Sequence, residues 1–208
     1  MLKAHSLSFT YPGGKTMHFP EISCGKGEHW LLLGASGSGK TTLLQLLAGL
    51  RTPDAGEVRI GDTIMNKLSR SKLDKFRGQH IGIVFQQPHF IESLDVEENV
   101  ALAQGLAGKS VDRKKIRNLV DRLGLSHKLN SKTRRLSQGE QQRIAIARAI
   151  VNEPTLILAD EPTSALDDQN TREVIRLLEE QAKLANSTLL LVTHDARLKD
   201  YFPNQIIL

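Results

Sequence analysis

The run Gly34-Ala35-Ser36-Gly37-Ser38-Gly39-Lys40-Thr41 fits the pattern G-x-x-x-x-G-K-[ST] and directly follows the apolar stretch Trp30-Leu31-Leu32-Leu33. Letters and setting are those of a P-loop, a turn that wraps nucleotide phosphates. Its glycines let backbone N–H groups close around an anion, and the start of the following helix adds positive potential. Lys40 has the reach and charge for β- and γ-phosphates, and the Thr41 hydroxyl is a ligand type for Mg²⁺. The expected phosphate-binding set is Gly34, Ala35, Ser36, Gly37, Ser38, Gly39, Lys40, Thr41 and Thr42. Far downstream, Leu156-Ile157-Leu158-Ala159-Asp160-Glu161-Pro162 is an apolar run ending in two carboxylates. Asp160 is placed to hold Mg²⁺ directly or through water, and Glu161 to polarise an attacking water. Water as acceptor makes this an NTPase; a kinase would need a separate acceptor pocket. Alone, such a junction is often only an acidic strand end, and the upstream P-loop is what gives it chemical meaning.

These residues need a scaffold. The alternation in Ala4-His5-Ser6-Leu7-Ser8-Phe9-Thr10-Tyr11 predicts an edge strand, and Pro12-Gly13-Gly14 a turn. A β-region near Ile22 leads through Gly25-Lys26-Gly27-Glu28 into the strand before the P-loop, and a helix is expected from Thr42 to Leu50. Further strands are predicted at Glu57-Val58-Arg59-Ile60 and Gly82-Ile83-Val84-Phe85. From about Glu92 to Ala149 the pattern turns helical: Asp95 with Glu98 forms a capping box, and Ile116, Leu119, Val120 and Leu123 share helical spacing. Ser137-Gln138-Gly139-Glu140 is a second capping box, and a capped helix start is also an anion site. Strands return at Leu156–Ala159 and Leu189–Val192, with a charged helix from about Gln169 to Leu184 between them. Continuous apolar runs of this kind suit central strands of a parallel sheet covered on both faces. The expected fold is α/β, with a helical insertion between the P-loop segment and the later strands.

The 208 residues are 39% hydrophobic and 25% charged, an ordinary globular composition. No apolar run approaches the roughly 18 residues of a membrane span, and Met1–Ser6 lacks a signal-peptide core. The single Cys24 excludes an internal disulfide framework, fits a reducing compartment and reads as an incidental small residue. The formal charge of +5 arises from 28 Lys and Arg against 23 Asp and Glu, with aromatics at only 4%. Stacking platforms for single-stranded nucleic acid are not evident, and no specific nucleic acid is expected. The positive balance favours anionic lipid modestly. The histidines form no zinc constellation with Cys24.

Leu136-Ser137-Gln138-Gly139-Glu140-Gln141-Gln142-Arg143 resembles the signature motif of the ATP-binding cassette (ABC) family, and the similarity spans essentially the whole chain. The commoner motif has Gly at Gln138 and Gln at Glu140. In the family this helix end faces the γ-phosphate held by the other subunit of a head-to-tail dimer, so the resemblance implies that Ser137 and the Gly139 backbone serve the partner's ATP. The other motifs follow in order. Tyr11 resembles the aromatic residue that stacks on adenine. Gln86 resembles the glutamine that contacts Mg²⁺ or the lytic water, with Gln87 as adjacent competitor. Ser164-Ala165-Leu166-Asp167 matches the segment crossing the dimer interface. His194, in Thr193-His194-Asp195, resembles the histidine that bonds the γ-phosphate. The implied catalytic residues are Glu161, His194 and Gln86, and the implied metal ligands Thr41, Gln86 and Asp160. The implied fold is a mostly parallel core sheet with an N-terminal antiparallel β subdomain, core segments 1–91 and 150–208, and a helical subdomain at 92–149.

Within the family the chain resembles the small ATPase class that includes lipoprotein-release, macrolide-efflux and cell-division cassettes. Its features there are Tyr11-Pro12, Ser69 through Lys75-Phe76-Arg77, Ile81 to Gln86, Val96-Glu97-Glu98-Asn99-Val100 and Gly139 to Arg143. The end at Asn204-Gln205-Ile206-Ile207-Leu208 follows soon after the expected last β-region, where many relatives carry a further turn and helix; no appended regulatory domain is expected. The resemblance implies ATP and Mg²⁺ as ligands, a second copy as partner, and integral-membrane permease subunits docking near Gln86-Ile91. Phe90 and Ile91 remain open between docking and core roles. The implied location is the cytoplasmic face of the cell membrane, the inner membrane if Gram-negative. The resemblance implies an ATP-hydrolysing subunit that powers a membrane transporter, for export or extrusion of a lipoprotein, peptide or small molecule. Two rivals stand beside that reading: a cassette that signals through membrane subunits without moving cargo, and a non-transport ABC ATPase acting on DNA or ribosomes. The latter types carry coiled coils, zinc modules or paired cassettes, which this chain lacks.

Overall fold

A change of hydrophobic period along the chain sorts it into two sheets and two groups of helices. A computed structural model describes residues 1–164 and 166–208. In β1 (Leu2–Thr10), Leu2 and Ala4 are buried while Lys3 and His5 are exposed, and the register then shifts between His5 and Ser8. β2 (Thr16–His18) and β3 (Ile22–Cys24) pair antiparallel with it, as does β5 (Ala55–Ile60), which in turn pairs with β6 (Thr63–Ile64). β1 is therefore central, not the edge strand its alternation predicts. Polar alternation marks one solvated face of an antiparallel sheet, and says nothing about whether the strand's two sides are paired.

The second sheet is parallel, in the order β10 (Asn204–Ile207), β4 (His29–Leu33), β9 (Thr188–Thr193), β8 (Leu156–Asp160), β7 (Ile81–Val84). Period-two geometry splits its apolar runs between two cores. Leu32, Leu156, Leu158, Leu190 and Val192 pack with the first sheet and with Leu43, Leu44, Leu46 and Leu47 of α1 (Lys40–Leu47). Leu31, Leu33, Ile157, Ala159, Leu189 and Leu191 face the opposite core. Each such side chain contributes about 1.5–3 kcal/mol on burial, so both faces need covering. α1 starts two residues earlier and stops three earlier than its pattern predicts. Asn204–Ile207 is itself a strand, extending the sheet beside β4, where Leu208 N–H donates to Leu33 O at 2.8 Å.

The opposite core is closed by α3 (Val96–Leu106), α4 (Arg113–Arg122), α5 (Gln138–Ile150) and α6 (Asp168–Leu184). Both expected capping boxes form, Asp95 with Glu98 and Ser137 with Glu140. Ile116, Leu119, Val120 and Leu123 are buried as their spacing requires. α3 and α4 are tied by Glu97, nearly fully buried and bonded by Arg113 at 2.8 Å and Arg117 at 3.1 Å. Burial opposes ionisation of Glu97, but those two guanidinium bonds outweigh it and hold the carboxyl below its ordinary range. The chain between α4 and α5 is not helical throughout, as the pattern suggests, but runs through short 3-10 turns at Ser126–Lys128 and Thr133–Arg135. α2 (Arg70–His80) buries no residue, which is why apolar periodicity does not announce it.

Gly82 sets how closely α5 approaches the sheet. A Cβ there would stand 2.3 Å from the Ala149 carbonyl oxygen. That atom belongs to helix backbone and cannot rotate away. Gly82→Ala is expected to destabilise the chain by about 1–3 kcal/mol, read as a lower denaturant midpoint with unchanged slope.

Candidate functional site

The P-loop leaves β4 at Leu33 and turns through Gly37 and Gly39, at φ 80° and 96°, into α1. Those left-handed values suit glycine, and a Cβ on Gly39 would also stand 3.2 Å from Met17 Sδ and 3.3 Å from a Phe19 ring carbon. Lys40, the first residue of α1, is buried, and its Nζ donates to Gly34 O at 2.8 Å and Ala35 O at 2.9 Å. The loop closes over its own lysine, whose ammonium also stands 3.9 Å from Glu161 Oε1. The Ser38 hydroxyl is buried and has no hydrogen-bond partner among the described residues. An orphaned donor beside a lysine and glycine turns fits a phosphate group.

Parallel pairing of β8 with β9 brings the acidic pair to the same place. Asp160 stands opposite Val192, so Glu161 and Thr193 follow at neighbouring strand ends. Asp160 is buried and accepts a bond from Thr41 Oγ1 at 3.4 Å. Burial pushes its carboxyl above the ordinary range, the Thr41 bond opposes that, the Glu161 charge adds to it, and Lys40 opposes it. A buried carboxylate beside a hydroxyl fits a divalent cation, whose charge would relieve the cost of burial.

Glu161 lies at φ 45°, an uncommon backbone conformation for a non-glycine residue that costs of order 1–3 kcal/mol. Its N–H donates to Val192 O at 2.8 Å. Its carboxylate accepts from Thr193 Oγ1 at 3.0 Å and sits 2.8 Å from His194 Nδ1. The expected catalytic pair Glu161 and His194 is thus in direct contact.

Tyr11, just past β1, places its hydroxyl 3.0 Å from Thr42 Oγ1, and the Arg51 guanidinium lies 4.8 Å from its ring centroid. Tyr11, Ser36, Gly37, Gly39, Lys40, Thr41, Thr42, Gln86, Glu161 and His194 share one cleft of about 570 Å³ with Met17. Gln86 lines this cleft and donates to Ser164 Oγ at 3.2 Å. Gln87 lines the adjoining hollow with Gln138 and Gln141 instead, so position favours Gln86 over its neighbour. Ala165, within the expected interface segment Ser164 to Asp167, lies outside the described residues.

Ser137 and Gly139 do not line the cleft of their own chain. Ser137 is exposed at the start of α5, its hydroxyl accepting from Glu140 N–H at 3.3 Å while the Glu140 carboxylate accepts from Ser137 N–H at 2.8 Å. The Ser137 N–H, its largest influence, holds the Glu140 carboxyl below the ordinary range; slight burial opposes, and Lys128 assists. Glutamate at this position therefore keeps the helix start capped. Sequence reasoning assigns no role to Arg51 or the Thr193 hydroxyl. Thr193 stands inside a quoted motif, whereas nothing local marks Arg51, which meets Tyr11 only through the fold.

A family model described as "ABC transporter" matches residues 19–164. The lipoprotein-releasing system ATP-binding protein LolD of Saccharophagus degradans is 42% identical over 172 residues, covering 82% of this chain and 75% of the relative. The protein of the same name from Xanthomonas oryzae pv. oryzae is 40% identical over 205 residues, covering 95% of this chain and 84% of its own. Among solved structures, the dimeric post-hydrolysis state of the ATP-binding cassette MJ0796 bound to ADP and Pi has a TM-score of 0.90 at 34% identity, covering 100% of this chain and 94% of that one. The cbiO1 structure from Clostridium perfringens, part of the ABC transporter complex cbiONQ, has a TM-score of 0.87 at 31% identity, covering 99% and 83%.

Proposed function

The chain belongs to the ABC transporter ATPase family, and from that premise we propose how its cleft works and what it powers. ATP is bound with its phosphates at Gly34–Thr42 and its base against Tyr11. Mg²⁺, held by Thr41, Asp160 and Gln86, supplies stabilisation of phosphate negative charge. Glu161 orients and polarises the attacking water, and His194 bonds the γ-phosphate. The core is residues 1–91 and 150–208, with 92–149 as the helical subdomain.

The observation that carries this reading is the separation of Ser137 from the cleft of its own chain. An exposed, capped helix start presents donors and positive potential with no phosphate of its own to meet. A second copy packed head to tail brings that start to the first copy's cleft; that the MJ0796 cassette is dimeric supports a paired assembly. The γ-phosphate then joins both subunits, and its loss on hydrolysis weakens the union, which moves attached membrane subunits. No helix among the described residues is long and apolar enough to cross a membrane. Separate permease chains therefore supply the path, docking in the groove of about 730 Å³ that includes Phe85, His89, Ile91 and Leu106. Phe90 packs partly against the core, whereas Ile91 is exposed. The named relatives support lipoprotein release as the process powered and a peripheral place at the cytoplasmic face of the membrane.

A mixed dimer tests the geometry. One subunit carries Lys40→Ala and the other Ser137→Ala. Under head-to-tail packing both defects fall on one composite site, and the other stays complete. Site-specific nucleotide occupancy and nucleotide-dependent crosslinking should therefore show one intact site. Two damaged sites, one per subunit, would sink the shared-site account.

A further inference from the structure

Resting on the reading of Glu161 as the water-activating carboxylate, we propose that Thr193 is the residue that positions it. Thr193 is nearly fully buried at the end of β9. Its hydroxyl makes two bonds, accepting the Asp195 N–H at 3.0 Å and meeting Glu161 Oε2 at 3.0 Å. An amide N–H only donates, and a hydroxyl has one proton. That proton is therefore directed to the Glu161 carboxylate. The bond matters because of the backbone beneath it: Glu161 stands at φ 45°, where a non-glycine residue has to be held.

The other groups around this carboxylate hold it less directly. His194 is 2.8 Å from Oε1 but exposed, and Lys40, bonded to the Gly34 and Ala35 carbonyls, stands at 3.9 Å, beyond hydrogen-bond length. Lys40 and His194 are also the groups expected to turn to phosphate. Thr193 has no such second duty, lies outside the lining of the cleft, and is anchored in the sheet beside Leu33 of β4. It keeps one carboxylate oxygen, Oε2, directed inward, while the other, Oε1, faces His194 and Lys40, the two groups expected to turn to phosphate. The same hydroxyl ties the Asp195 N–H, so the turn carrying His194 and the Glu161 carboxylate share one anchor.

The test uses the full chain with Thr193→Val, which keeps shape and removes the proton donor, and Thr193→Ser, which restores it. With ATP and Mg²⁺ in single turnover, Thr193→Val is expected to slow hydrolysis by about 10- to 100-fold, the scale of a misaligned reacting group. Its ATP affinity should remain at the wild-type value, and Thr193→Ser should recover the rate. A second readout needs no nucleotide: the ¹³C carboxyl resonance of Glu161, assigned by its loss in Glu161→Gln, should move in Thr193→Val and return in Thr193→Ser. An unmoved resonance with an unchanged rate overturns the proposal, as does an equal loss in the serine variant. Should Thr193→Val fail to fold, Thr193→Ala carries the same expectation. Glu161→Gln that still turns over ATP would defeat the role given to Glu161. An inert Glu161→Gln beside a fully active Thr193→Val would overturn the positioning role alone.

Discussion

Lys40→Ala is expected to reduce ATP turnover by about 10³-fold or more, the scale for losing a preorganised charge at a reacting phosphate. Lys40 is buried at the first position of α1 and fixed by the Gly34 and Ala35 carbonyls at 2.8 and 2.9 Å. Its ammonium is thus already inside the loop, so little reorganisation precedes its contact with phosphate. Removing it takes away the cation and leaves the Gly34 and Ala35 carbonyl oxygens without their donor. The loss should fall on nucleotide affinity as well as on rate, because the charge acts in both ground and transition states. Nucleotide titration and phosphate release measure the two separately. Turnover near wild type would remove the lysine from the mechanism.

For Glu161→Gln the rate should fall by about 10²–10⁴-fold, the usual worth of a positioned general base, while ATP affinity is kept. An amide is nearly isosteric, and its carbonyl can still accept from Thr193 at the 3.0 Å contact seen for Oε2. What is lost is the ability to take a proton from water. ATP should therefore persist between two subunits, and size measurement with ATP should find a trapped dimer. A variant that stays monomeric and still hydrolyses ATP would exclude this role. The contrast with Lys40→Ala is diagnostic: one variant loses binding and turnover together, the other only turnover.

The site was legible in sequence wherever its chemistry depends on contiguous residues. A phosphate cradle is made of successive backbone amides, so Gly34 to Thr42 have to be adjacent in the chain and can be read there. The same holds for a strand ending in Asp160-Glu161 and for the capping box Ser137–Glu140, whose partners sit one helical turn apart and do form. The family resemblance placed Tyr11, Gln86 and His194, and the fold gathers all three into one cleft.

Long-range pairing was not legible. β1 looked like an edge because alternation reports which face is solvated, whereas its centrality depends on β2, β3 and β5 arriving from elsewhere. α2 is not announced because it buries no residue fully: only Leu73 and Phe76 pack partly against the core, too few for an apolar period. By itself the sequence determined the phosphate loop, the acidic strand end, the capped helix start and the two-faced apolar strands, since each is set by neighbours within a few residues. Only tertiary structure decided that Thr193 holds Glu161, that Arg51 lies over Tyr11, and that Ser137 stands outside its own cleft. Those relations join residues far apart in the chain, and strand order and packing, not local propensity, bring them together or hold them apart.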